Sequence, residues 1–302
     1  MALQEVNRNQ QGNPAKRRNH TVPKALLKRW LSQHEGSKGY WTLDCASGDI
    51  RFEQGEKASF AISDYRYVPV RTTEGRAPYR DEAVEDWFSK GENDLAFVTD
   101  LVLEKKPLGS FGKKILGFTE AAILLGFRSA YEYEMLERVI TDPGSALSQD
   151  DISRYVIDYF QKAYKYKLRQ FANWDWQIIP AKDEDLLVCD RPLFDMTVNR
   201  LQEELLAIPL APRLMLVAVP PKDRHRTISS LTVADVTTSK IISLANNFTV
   251  QRARQFVVAA SFEQLEQLKA EFSSEAFQAR KATDRIVIQG PGFQEGVLIS
   301  TL

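Results

Sequence analysis

Hydrophobic positions along this chain keep two different rhythms, and the change from one to the other sets the first division of the fold. From Asp81 to Lys106, Lys113 to Ile140 and Ser148 to Phe171, apolar residues return every three or four positions, which gathers them on one face of a helix. Three long helices are expected there. Their limits are marked by Pro107 with Gly109, by Asp142-Pro-Gly, and by Ser148 with Asp151 three residues on, a box-like start signal.

On either side the period shortens. Pro23 at a first helical position, followed by Ala25, Leu26, Leu27, Trp30 and Leu31, gives a short helix over 23–33 that stops before Gly36. Gly39-Tyr-Trp-Thr-Leu-Asp-Cys and Asp49-Ile-Arg-Phe flank Ala-Ser-Gly, the pattern of a β-hairpin, and Tyr65 to Val70 adds a strand. After Trp174 come further strands at Trp-Asp-Trp-Gln-Ile-Ile, Leu186-Leu-Val-Cys and Arg213 to Val219, the last ended by Pro220-Pro221. A helix over 232–246, a strand over 256–260, a helix over 262–281 and a strand over 285–289 complete the reading. Strands and helices do not alternate long enough to require a doubly wound sheet. The expectation is an α+β protein with a mixed or antiparallel sheet and a long-helix middle segment: residues 1–19 form a flexible basic arm, and 20–302 one α+β domain.

Composition narrows the classes of function. Forty basic and forty acidic side chains cancel, so no global field declares a partner and any charged interface must be local. Two cysteines, Cys45 and Cys189, stand in no metal-ligand or redox spacing and read as buried thiols in a reducing compartment. No secretory leader and no membrane span is evident, which gives a cytoplasmic expectation with no membrane partner. His20, His34 and His225 are too scattered for an all-histidine metal site. Phosphate-loop, Gly-x-Ser-x-Gly and His-Glu-x-x-His signatures are absent, which leaves common nucleotide hydrolases, serine hydrolases and zinc proteases without support.

The local charge pattern is more informative. Between Glu5 and Glu35 there is no acidic residue, while Lys16, Arg17, Arg18, Lys24, Lys28 and Arg29 are basic, a set suited to neutralising a nucleic-acid backbone. Trp30 would stack on bases if exposed and belongs to the core if not. A second basic stretch, Lys162, Lys165, Lys167 and Arg169 with Tyr164 and Tyr166, is expected to spread over more than one helix face.

The segment Asn19-His-Thr-Val-Pro with Leu26, Leu27 and Trp30-Leu31 resembles the opening of the domain-of-unknown-function 4238 family, with Thr21 where the commoner form has tyrosine. The later features follow in the same order: Val84-Glu85-Asp86-Trp87-Phe88 with Glu92, then long helices, then Cys189-Asp190-Arg191-Pro192. Pro209 to Pro212 comes next, and last Asn246 ahead of Ala253 and Phe256-Val-Val-Ala. The resemblance runs from about residue 19 to 260 and implies candidate residues without naming a reaction.

Those candidates are His20, Glu85, Glu92, Asp190 and Asn246. His20 at a helix entrance is either a metal ligand, a general acid or base, or a group bonded to backbone. Glu85 and Glu92, seven positions apart, share a helix face but stand roughly 10 Å apart along the axis, so one ion cannot take both directly. Asp190 leaves the end of an apolar strand and either delivers a carboxylate or caps a turn; Arg191 beside it is available for an anionic group. Brought together, His20, Glu85 or Glu92, and Asp190 suit a divalent-metal hydrolase of phosphodiesters or nucleic acid, with Glu92 and Asp190 as ligands of Mg²⁺ or Mn²⁺. The alternatives are a non-catalytic nucleic-acid- or protein-binding module and a subunit of a larger assembly.

Overall fold

The computed structural model describes residues 18–64, 67–68, 70–71, 79–80, 82–107, 112–140, 147–171, 173–198, 203–221, 230–234 and 239–272. Lys16 and Arg17 of the arm, the turn at Asp142, the expected strand over 285–289 and the end of the expected 262–281 helix lie outside them.

In chain order the strands are β1 Arg18–His20, β2 Ser32–His34, β3 Ser37–Asp44, β4 Ile50–Gln54, β5 Ile62–Asp64, β6 Val70–Arg71 and β7 Tyr79–Arg80. After the central helices come β8 Asp175–Pro180, β9 Val188–Cys189, β10 Phe194–Val198, β11 Glu203–Ala211, β12 Leu214–Val219, β13 Ser230–Val233 and β14 Phe256–Ala259. The helices are α1 Lys24–Leu27, α2 Ala83–Leu103, α3 Gly112–Leu124, α4 Ala130–Ile140, α5 Gln149–Phe171, α6 Ser239–Arg252, α7 Phe262–Glu266 and α8 Lys269–Phe272. The protein is α+β, as the two rhythms imply.

Two five-stranded sheets form. One runs β10-β11-β12-β8-β13 and is antiparallel except where β13 joins β8 in parallel; the other runs β2-β3-β14-β9, with β4 also on β3, and is antiparallel throughout. Early and late segments therefore meet in the second sheet: β14, more than 200 residues after β3, pairs Val257 with Leu43 on one edge and with Cys189 on the other. The expected hairpin is present, with Leu43 opposite Ile50 and Asp44 Oδ1 accepting from the backbone N–H groups of Ala46 and Ser47. Gly48 takes a φ of 73° in that turn, a region glycine enters without a Cβ clash.

The main core draws Trp30 and Tyr40 from the N-terminal zone, Phe88, Phe118 and Phe160 from α2, α3 and α5, and Trp176 and Leu216 from the first sheet. Each such buried side chain contributes about 1.5–3 kcal/mol relative to exposure. A smaller core, with Cys45, Cys189, Val257 and Phe272, covers the second sheet. Helices α2 and α3 approach closely because Gly91 carries no side chain: a Cβ there would lie 3.1 Å from that of Ala121.

Three differences from the sequence reading have physical causes. The helix expected over 113–140 is two helices, because the α-helical run ends at Leu124, passes through a 3-10 turn at Leu125–Phe127 and restarts at Ala130. Thr232 lies in strand β13 rather than in a helix, and α6 is described over Ser239–Arg252. β10 and β11 were not anticipated; β11 contains Pro209, which has no N–H to donate, and its register shifts between Pro209 and Ala211.

Candidate functional site

The break between α3 and α4 is where three of the sequence candidates, His20, Glu85 and Glu92, meet. Arg128, in the break and only 3% exposed, is the hub. Its Nε donates to the backbone carbonyl of His20 at 2.8 Å, its Nη1 pairs with Glu92, and its Nη2 lies 3.5 Å from Glu85 Oε1. The Tyr67 hydroxyl donates to the Arg128 carbonyl, and the guanidinium sits 5.0 Å from the Phe88 ring centre. A narrow cleft beside the pair is lined by Pro23, Phe88, Leu95, Leu124, Glu92 and Arg128.

Each part is placed for a local reason. Asn19, fully buried in the β1 strand, accepts from the Tyr67 backbone N–H through Oδ1 at 3.2 Å, and Thr21 donates through its hydroxyl to Ala61 O at 3.1 Å. That fixes the His20 carbonyl. Glu85 and Glu92 project from α2 two turns apart, and Arg128 reaches both because separate nitrogens of its fork face each carboxylate. Burial pulls the Arg128 guanidinium below the ordinary arginine value, with the Glu85 carboxylate acting against it. It stays charged, because arginine starts so far above neutrality.

His20 thus enters this centre through its main chain. Its ring Nε2 lies 3.2 Å from the Lys57 carbonyl. Asp190 does not join His20 and Glu92: its Oδ1 accepts from the backbone N–H groups of Arg254 at 2.9 Å and Gln255 at 3.2 Å, which caps the chain between α6 and β14. Burial pushes the Asp190 carboxyl up from the ordinary aspartate value, against the pull of those N–H groups. Burial, with Asp190 adjacent, also pushes the Cys189 thiol up to about 12. Asn246 is likewise occupied: its Oδ1 accepts from Leu187 N at 2.9 Å while its amide donates to Glu184 Oε1 at 2.8 Å and Asp185 O at 2.9 Å. It clamps the loop ahead of β9.

A second charged centre lies at the other side of the α3–α4 break. Arg191, 2% exposed, touches Glu132 on the first turn of α4, and its guanidinium stands 5.3 Å from the Tyr131 ring centre. Arg252 Nη2 is 3.9 Å from the same Glu132 oxygen, and Arg254 is 5.9 Å from the Tyr131 ring. Arg128, Ser129, Tyr131, Glu132, Arg252 and Arg254 were not among the sequence candidates. One signal was there to find: Ser129-Ala-Tyr-Glu132 has the serine and glutamate of a capping box and marks a helix start inside the expected long helix.

The basic candidates divide. Lys24 and Lys28 are exposed one turn apart, while Arg29 is committed to Asp100. Arg18 lies in β1. Trp30 is buried with its indole N–H donated to Leu186 O at 2.8 Å, so stacking on a ligand is closed to it. On α5, by contrast, Lys162, Lys165, Tyr166 and Arg169 are exposed at i, i+3, i+4 and i+7, one continuous face rather than several, and Tyr166 is 68% exposed. Lys167 alone turns aside, its Nζ 5.3 Å from the Phe171 ring centre.

Among the described residues no three His, Cys, Asp or Glu side chains are grouped so as to hold a metal ion, and no helix is long and apolar enough to cross a membrane. No curated protein and no solved structure matches the chain. Residues 18–263 match the family model described as a protein of unknown function (DUF4238).

Proposed function

The chain belongs to the DUF4238 family, and from that premise we propose that it is a non-catalytic module binding single-stranded nucleic acid through the exposed face of α5. The observation that carries this reading is the clustering of Lys162, Lys165 and Arg169 around the exposed Tyr166, none of the three cations being ion-paired among the described residues. Cations at that spacing follow a phosphate backbone, and an exposed tyrosine among them offers a stacking surface for a base. Asp158, exposed one turn before Lys162, bounds the face on its N-terminal side. Lys24 and Lys28 supply further exposed positive charge. Two buried thiols outside any disulfide support a reducing, cytoplasmic setting.

The divalent-metal phosphodiesterase is the weaker reading. Glu85 and Glu92 already share a cation in Arg128, and Asp190 is turned to backbone, so Mg²⁺ or Mn²⁺ would have to displace a buried guanidinium to reach its ligands.

Fluorescence anisotropy with a labelled single-stranded oligonucleotide at several salt concentrations tests the proposal. The triple variant Lys162→Ala, Lys165→Ala, Arg169→Ala is expected to make the log–log salt slope shallower by about 2, the share of three phosphate contacts. Tyr166→Ala is expected to cost about 1–3 kcal/mol of binding without changing the slope. Absence of binding by the unaltered chain, or equal affinity in the triple variant, overturns it.

A further inference from the structure

Among the described residues Arg191 has no hydrogen-bond acceptor for Nε, Nη1 or Nη2, although all three are buried; its contact with Glu132 is an ion pair outside hydrogen-bonding direction. A guanidinium is a fork of five N–H donors, and burying it with those donors unmet is among the most costly arrangements a fold can hold. Ser129, 1% exposed and directly before α4, repeats the pattern: its hydroxyl has no partner, so the capping signal it forms with Glu132 is left unclosed. Glu132 lies instead against Arg191. Asp190 Oδ2 is also buried and without a partner.

Arg191 and Ser129 meet at the first turn of an eleven-residue helix, the end that carries positive partial charge. Arg252 and Arg254 bring two more guanidiniums to the same turn. Glu132 and Arg252 keep 16% and 21% of their side-chain exposure, so the cluster has an edge on solvent.

We propose that Arg191, Ser129 and the first turn of α4, with Arg252 at the mouth, form a binding site for a small oxyanion of the phosphate class. The fork of Arg191 meets two oxygens of such an anion side by side, and the Ser129 hydroxyl donates to a third. The site is independent of the α5 face and stands or falls without it.

The test uses the full chain, with thermal unfolding and calorimetry in inorganic phosphate against chloride at matched ionic strength. The unaltered protein is expected to show a saturable rise in Tm with phosphate. The affinity falls about tenfold in Arg252→Gln and in Ser129→Ala, the loss of one charge-assisted or buried hydrogen bond, and vanishes in Arg191→Gln. The triple α5 variant keeps it. A nucleoside 5′-monophosphate competing more tightly than inorganic phosphate identifies the phosphate group of a larger ligand as the occupant, and weaker competition identifies the free ion. No saturable response, or an undiminished one in both Arg252→Gln and Ser129→Ala, overturns the site. Should Arg191→Gln fail to fold, those two variants decide the question.

Discussion

Arg128 and Arg191 are both almost completely buried, and both flank the same short break between α3 and α4, yet the chain treats them differently. Around Arg128 each guanidinium nitrogen has an oxygen to face: His20 O, Glu92 and Glu85. Around Arg191 the described residues supply a counter-charge and an aromatic face but no hydrogen-bond acceptor. The two helix starts nearby differ in the same way. Ser148 Oγ accepts from Asp151 N at 3.2 Å and closes its cap, whereas Ser129 leaves its cap open. Polar groups that the chain satisfies by itself hold the fold; those it leaves unsatisfied at a buried helix start are where an outside partner completes the structure.

Substitution of the two arginines is the strongest way to break this contrast. Arg128→Met leaves Glu85 and Glu92 without their shared cation and is expected to cost about 3–5 kcal/mol in urea unfolding. Arg191→Met removes donors that have no hydrogen-bond acceptor among the described residues but also the ion pair with Glu132, which keeps Arg252 beside it, so in phosphate-free buffer its cost is expected to be smaller, about 1–3 kcal/mol. Equal losses would end the distinction between a closed and an open centre.

Asn246→Ala comes next. It strips the acceptor from the buried Leu187 N–H and releases Glu184 and Asp185, with an expected loss of about 1–3 kcal/mol by the same assay.

The smallest effect is one of pH. The folded-state value of Asp190 lies above its unfolded value, so the stability it contributes is fully present below the ordinary aspartate value of 3.8 and is lost as pH rises through the folded value. Asp190→Asn keeps an oxygen for Arg254 N and Gln255 N but cannot ionise. Unfolding free energies of the two proteins should therefore diverge in favour of the asparagine variant as pH is raised from about 4. Parallel pH profiles would show that Asp190 does not carry this linkage.

How far the sequence revealed these centres depended on what each residue contributes. The long helices were legible because α2 and α5 each bury one stripe, such as Val84, Phe88, Leu95 and Val98 on α2. The break at Arg128 was not, because Leu124, Leu125 and Phe127 carry the apolar spacing up to its edge. Glu85 and Glu92 were rightly placed on one face, but their partner lies 43 and 36 residues away, a distance that spacing rules do not reach. His20 was legible as a residue at a helix entrance; that it would contribute a carbonyl was not, since every residue type has one. The α5 face could have been read, because i, i+3, i+4 and i+7 define one side of a helix.

Strand β9 has only two residues, yet α6 and the turn behind it grip both ends: Asn246 holds Leu187 in front, and the backbone of Arg254 and Gln255 holds Asp190 behind. The late asparagine and the aspartate-proline segment are thus two fasteners on one plate. Arg191, riding on that plate, cannot shift by much unless the whole helix travels with it. In native-state hydrogen exchange the amides of Leu187, Arg254 and Gln255 should consequently open together, and any occupant of the Arg191 centre should slow all three at once.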